Sequence, residues 1–317
     1  MSKKLSIILI VLLTILLAFV IGIMIFLFKG GVDKLNWNFN TFHIGIGGGN
    51  STKLVDSKEV TNNKKLNVEF DVADVEVVPS ETESIKVELY SDNPGEYEIT
   101  ESEEDIKVVL KEKENQKFSL KKKMNKIKLY VPLNYISSFN INGTTGDITM
   151  DEYSSATLNA TINTGDIKIK EINMAEINAT TGDIEVESAS LLNVNVRTGD
   201  IDVGTVRFLT VNATTGDIDA KEVDRVKVVV TTGDIDLYKV NEYLSLEAVT
   251  GDIDINTANI KDNSRIKVTT GDIKIEHATG YYVSGEAKIG DVKIKGVDRK
   301  SDLELTIEAK VGDIRVN

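Results

Sequence analysis

The chain has 317 residues, with 37 Lys and Arg against 50 Asp and Glu and a net charge of -13, a balance that argues against nucleic acid as the main partner. It contains no cysteine, and its histidines are His43 and His277 alone, which excludes disulfide frameworks, thiolate nucleophiles, Cys-ligated zinc and His-rich metal centres. Three prolines and 6% aromatic residues do not suit a carbohydrate-binding surface built on stacked rings.

Leu5 to Phe28 runs for 24 residues without a charge, interrupted only by Ser6, Thr14 and Gly22. At about 1.5 Å per residue a helix of that length crosses a hydrocarbon core of roughly 30 Å. A cleaved signal peptide has a shorter apolar core and a small-residue cleavage site, and Lys29-Gly30-Gly31-Val32-Asp33-Lys34 offers no A-x-A pattern. The expected reading is an uncleaved single-pass signal anchor. Lys3 and Lys4 before the span bias the N-terminus to the cytoplasm and the bulk of the chain to the outside. Residues 1–4 are then a cytoplasmic tail, 5–28 the transmembrane segment and 29–63 a flexible stalk rich in Gly and Asn, including Gly47-Gly48-Gly49.

From Lys64 to Phe139 apolar residues fall at every second position. Examples are Leu66-Asn67-Val68-Glu69-Phe70, Ile85-Lys86-Val87-Glu88-Leu89 and Ile127-Lys128-Leu129-Tyr130-Val131. This period of two predicts short strands with one face in a core, so 64–139 reads as an N-terminal β region or cap. Lys121-Lys122-Lys123 with Lys126 and Lys128 form a basic cluster, read as a solvated edge protected by lysine or, more sharply, as a contact for anionic lipid or wall polymer.

Residues 140–317 are a repeat. Gly-Asp followed by Ile or Val begins at Gly146, Gly165, Gly182, Gly199, Gly216, Gly233, Gly251, Gly271, Gly290 and Gly312, at intervals of 17 to 22 residues. A Thr precedes the first eight pairs, whereas Ile289 and Val311 precede the last two. Each unit reads as two short strands separated by a turn: Leu209, Val211 and Ala213 alternate before Thr214-Thr215-Gly216-Asp217, and Ile218 and Ala220 resume the alternation after it. Such a unit cannot bury its apolar face alone, so units stack at about 4.8 Å per coil into a parallel β-solenoid with an aliphatic core. An all-β fold is expected, preceded by one transmembrane helix. The turn aspartates Asp147, Asp166, Asp183, Asp200, Asp217, Asp234, Asp252, Asp272, Asp291 and Asp313 then form a column. Each is read first as the acceptor that satisfies its own turn, and second as a cation contact, since oxygen ligands suit calcium. Outward pairs such as Asp200 with Asp202 and Asp217 with Asp219 favour the second reading.

The anchor, the early degenerate unit Asp71-Val72-Ala73-Asp74-Val75-Glu76-Val77-Val78-Pro79-Ser80, the strand Leu129-Tyr130-Val131-Pro132 and the serial Thr-Gly-Asp-Ile units together resemble a bacterial family. It is the family of β-strand-repeat adhesin proteins, which includes the LiaG-like membrane-anchored proteins. The resemblance covers most of residues 64–317 and implies a cell-envelope protein displayed outside the membrane. It supplies no catalytic residues and no ligand.

Three functions compete. The first is a non-catalytic binding or scaffold protein at the membrane. Residues 140–317 carry 19 Lys and Arg against 31 Asp and Glu, so the rod repels polyanions and favours an envelope protein or a neutral wall polymer. The second is a calcium-binding rod. The third is an enzyme, and it fares worst, because an active site should break the repeat. The modest deviations are Tyr281-Tyr282 beside His277, read as core or rim packing, and the last interval around Arg299. No catalytic residue, resident metal or cofactor is expected. A strand at Val316-Asn317 without an evident cap leaves end-to-end assembly open.

Overall fold

The computed structural model describes residues 53–60, 64–92, 95–111, 124–295 and 298–317. The expected transmembrane segment 5–28, the adjoining tail, most of the stalk and Lys121-Lys122-Lys123 lie outside the described residues. Among the described residues no helix is long and apolar enough to cross a membrane.

The alternation seen in the sequence sets the architecture. Leu66, Val68 and Phe70, then Ile85, Val87 and Leu89, then Ile127, Leu129 and Val131 are all buried, which places one face of every early strand in the core. Strand β1 covers Leu54–Val60, β2 Lys65–Ser80, β3 Ile85–Tyr90, β4 Tyr97–Glu101, β5 Asp105–Leu110, β6 Asn125–Pro132 and β7 Ser138–Thr145. The long coil strands follow: β8 Ile148–Thr164, β9 Ile167–Thr181, β10 Ile184–Thr198, β11 Ile201–Thr215, β12 Ile218–Thr232 and β13 Ile235–Thr250. The remainder are β14 Ile253–Ala258, β15 Ser264–Thr270, β16 Ile273–Ala278, β17 Tyr282–Ile289, β18 Val292–Ile294, β19 Glu304–Val311 and β20 Ile314–Val316.

Strands β8 to β13 pair in parallel, each residue lying beside its equivalent one repeat away, as in Ile184 beside Ile201 and Thr198 beside Thr215. The fold is a parallel β-solenoid. Strands do flank each Gly-Asp turn, as expected, but from β8 to β13 each runs on as one continuous strand that bends twice before the next turn, whereas the later coils divide into β14 and β15, β16 and β17, and β18 and β19. In β11 the buried positions are Ile201, Val203, Val206, Leu209, Val211 and Ala213. The spacing of three residues around Val206 breaks the alternation and turns the chain there without ending the ladder. In stacking order the residue after the corner Asp is isoleucine from Ile148 to Ile314, all in one buried column, and gives way to Val292 on the outermost coil. β-Branched side chains suit such a stacked, half-pleated position.

The stack begins inside the N-terminal region. Strand β2 lies parallel to β7 and β8 and is already a coil, with Ala73-Asp74 at the place of Gly-Asp. On its outer side β2 pairs in parallel with β5 and β6, and antiparallel strands then close this end: β4 on β5, β3 on β6 and β1 on β3. An aromatic block fills the core behind them. Tyr135 and Phe139 lie 4.7 Å apart between ring centroids, and Phe139 and Tyr153 5.4 Å. The Tyr135 hydroxyl lies 2.7 Å from the carbonyl oxygen of Lys64 and 2.9 Å from that of Ser138, and its one proton is shared between them, so the buried ring leaves no orphan donor.

At the opposite end the chain order and the spatial order part. Strand β15 pairs with β19, which pairs with β17; β16 pairs with β20, which pairs with β18. The last two strands in the chain are therefore inserted one layer in, and the outermost coil is β17–β18. The expectation that Val316 ends the rod is corrected: Val316 is fully buried.

Candidate functional site

The Gly-Asp corners stack in a single column from Ala73-Asp74 through Gly146 to Gly271, then Gly312, and last Gly290. Each glycine adopts a φ near +140 to +150°, a conformation L side chains avoid. The aspartates do not satisfy their own turns. Oδ1 of each but the outermost, Asp291, accepts the backbone N–H of the aspartate on the next coil: Asp166 N–H to Asp147, Asp183 to Asp166, Asp200 to Asp183 and Asp217 to Asp200, all at 2.9 Å. The chain of bonds opens with Asp147 on Asp74 and continues through Asp234, Asp252 and Asp272 to Asp313, then Asp291. This register explains how a column of carboxylates about one coil apart persists: each charge faces an N–H dipole. The bond from Asp291 and the Arg315 guanidinium, 2.8 Å away, hold the Asp313 carboxyl below the usual carboxylate range. Burial raises Asp74, against the bond it receives.

Beside the corner column lies a groove of about 870 Å³ over the middle coils, lined by Glu185, Asp202, Asp219, Asp236, Asp254 and the exposed Tyr238 among others. The carboxylates stand in register on successive coils. The same column continues as Lys274, Arg315 and Lys293 toward the outer coil, so one face of the rod is acidic over its middle and basic at one end. Lys168, in register with Glu185 and 3.0 Å from it, bounds the acidic stretch on the other side. Burial, then the charges of their neighbours, raise Asp202, Asp219 and Asp236 above the ordinary carboxylate value.

A carboxyl raised in the folded state binds its proton before the unfolded chain does, so it weakens the fold at neutral pH. That penalty is relieved as pH falls through the folded pKa toward 3.8. Asp219→Asn is accordingly expected to stabilise the protein at pH 7 by up to about 1 kcal/mol, the scale for like charges directly opposite on paired strands. The gain should shrink near pH 4 and at high salt; thermal melts at two pH values and two salt concentrations check this. Equal gains in all four would show that charge is not the cause.

The groove column was legible in the sequence only as the outward partners of the turn aspartates; the switch to Lys274, Arg315 and Lys293 was not. The other candidates resolve simply. Tyr281 is buried with its hydroxyl on the Ala258 carbonyl at 3.0 Å, Tyr282 sits at the rim, and His277 Nδ1 is 3.1 Å from the Asn256 carbonyl oxygen. Lys126 and Lys128 both bridge Glu76, at 3.1 and 2.8 Å, so these two members of the basic cluster are paired within the fold. Among the described residues no group of three or more His, Cys, Asp or Glu is placed to hold a metal ion.

The fold and its surface columns define a class: a repeat rod whose coils are held by a glycine-aspartate corner and an isoleucine column. The chain belongs to the Toastrack DUF4097 family, whose model matches residues 63–316. Among solved structures it is similar to one described as a "putative lipid binding protein" from Parabacteroides distasonis (16% identity, TM-score 0.41, covering 83% of this chain and 96% of that one). It is also similar to a "putative adhesin" from the same organism (14%, 0.40, 84% and 98%) and to a "putative cell adhesion protein" from Clostridium sporogenes (16%, 0.24, 83% and 99%). Among curated proteins none matches the sequence.

Proposed function

We propose that the chain is a non-catalytic, adhesin-like binding rod of the bacterial cell envelope, held at the outer side of the membrane by the apolar stretch 5–28. The observation that carries this reading is the groove column, in which Asp202, Asp219, Asp236 and Asp254 repeat one charge on consecutive coils. A ligand presented with the same face on coil after coil meets a linear surface rather than a closed pocket, which fits an extended partner better than a small substrate. The sign of the charge narrows the partner: an envelope protein with a basic segment, or a neutral polymer, meets no electrostatic barrier there, whereas a polyanionic wall polymer does.

The test is co-sedimentation of residues 53–317, which lie in one unit with its own core, with isolated cell walls before and after removal of anionic polymers. Each is run with calcium and with chelator. Binding is expected to be stronger to the stripped walls, insensitive to chelator, and reduced at least about tenfold by the pair Asp219→Lys and Asp236→Lys. Binding only with calcium would transfer the role to cation bridging. A fragment that stays in every supernatant would remove the wall and leave a membrane-protein partner.

A further inference from the structure

We propose that the open coil end formed by β17 and β18 is an interface for a second copy of this chain, which pairs antiparallel to β17 about a two-fold axis at Ala287. Among the described residues β17 has one ladder partner, β19, and β18 has one, β20. The outer edge of β17 thus offers a row of backbone donors and acceptors along Tyr282–Ile289. The side chains there are apolar beyond what an edge needs. The column that carries Thr from Thr145 to Thr270 ends in Val311 and Ile289, which are 43% and 67% exposed, and Val292 at the end of the isoleucine column is 41% exposed. Interior positions are small, Gly285 lying over Ile307 and Ala287 over Ala309, so the core is left half-covered at Ala287 and Ile294.

Charge decides the occupant. Lysine on an edge ordinarily deters pairing, and Lys288 lies on this one. Yet Glu286 lies two residues away, on the same outward side of the strand, and sits in register with Glu308, a like charge, on β19. With the axis at Ala287, Glu286 of each copy faces Lys288 of the other, and the pair occurs twice. Neither residue has an ion-pair partner among the described residues. Head-to-tail stacking does not fit. The other end of the rod is closed by antiparallel strands β1, β3 and β4, with Asp56, Lys58, Glu59, Glu98 and Glu101 along β1 and β4. The geometry therefore closes a dimer rather than a fibre.

The full chain has no cysteine, so a single Ala287→Cys places one thiol at the axis. Opposed Cα atoms in an antiparallel pair lie about 4.5 to 5.5 Å apart, within disulfide reach. Under mild oxidation this variant is expected to double in mass on a non-reducing gel at least about tenfold faster than Tyr238→Cys on the lateral face. In the Ala287→Cys background, Glu286→Lys or Lys288→Glu alone should slow crosslinking about tenfold, and the two together should restore it. These last two side chains are exposed or half-exposed, so their replacement tests the interface without testing the fold. Three results would overturn the proposal: Ala287→Cys crosslinking no faster than the lateral control, single charge reversals without effect, or a thiol at 287 shielded from both its twin and small reagents, which would mean that another segment or molecule covers the edge.

Discussion

Gly216→Ala is expected to destabilise the rod by about 3–5 kcal/mol, a fall in melting temperature on the order of 10 °C, whereas Gly280→Ala costs about 1 kcal/mol. Both glycines have positive φ, +140° and +86°, so both substitutions strain the backbone. They differ in what the new methyl group meets. At Gly216 a Cβ falls 1.9 Å from the carbonyl oxygen of Gly199 on the adjacent coil; at Gly280 nothing lies within 4 Å. The first contact cannot be relieved by a side-chain rotation, because the position of a Cβ is fixed by its own backbone and the atom it meets is a backbone carbonyl. Coils 199 and 216 would have to separate, and that spacing is shared by the bonds from Ile201 N–H to the Asp217 carbonyl and from Asp217 N–H to Asp200 Oδ1, each 2.9 Å. Denaturation of the two variants beside the wild type, with hydrogen exchange to locate the loss, measures the difference. Equal destabilisation would mean that φ alone makes glycine necessary and that the inter-coil contact is not the reason.

The same residues mark how far the sequence could be read. The Gly-Asp period and the alternating isoleucines and valines were enough for a parallel solenoid, since a repeat with one phase stacks like on like. The bend at Val206 was also present in the sequence, as a three-residue gap between Val203, Val206 and Leu209, though it reads as a strand break until the ladder is seen to run through it. The role of the aspartates was half legible. Gly-Asp signals a turn, but the bond goes to the next coil, and no single repeat can reveal a partner 17 to 20 residues away. The asparagine ladder was missed for the same reason: Asn212 donates to Asn195, and Asn195 to Asn178, at 2.9 and 3.0 Å. Each is an unremarkable polar residue on an outward face until register places it beside its equivalent. The interleaved end left no trace in the spacing, because 19 and 22 residues are compatible with simple succession. Its local marks are the replacement of Thr by Ile289 and Val311 and of Ile by Val292.

Ending the chain at Asp302 is expected to free residues 282–294 rather than remove a terminal coil. Strand β19 lies between β15 and β17, and β20 between β16 and β18. Their buried residues Leu305, Ile307, Ile314 and Val316 cover Ser264, Ile266, Ile273 and Ile275 on the layer below. In the shortened chain β17 could descend one layer, but it would bring Val283 where Leu305 stands and Gly285 where Ile307 stands. The missing Ile side chain alone leaves a cavity of the kind that costs about 2–5 kcal/mol, whereas β19 fills this layer with the larger Leu305 and Ile307. Hydrogen exchange of the shortened chain should show protection lost across 282–294 and weakened in β15 and β16, with β8 to β12 unchanged, since coils contact only their neighbours. Gly285→Ile in the shortened chain should recover part of that protection, because the added side chain occupies the position Ile307 vacates once the flexible end of Ile294, whose Cδ1 lies 2.7 Å from a Cβ at 285, moves aside. Undiminished protection of 282–294 after truncation would show that β17 packs on β15 without help and that the insertion of β19 and β20 is not what holds this end of the rod.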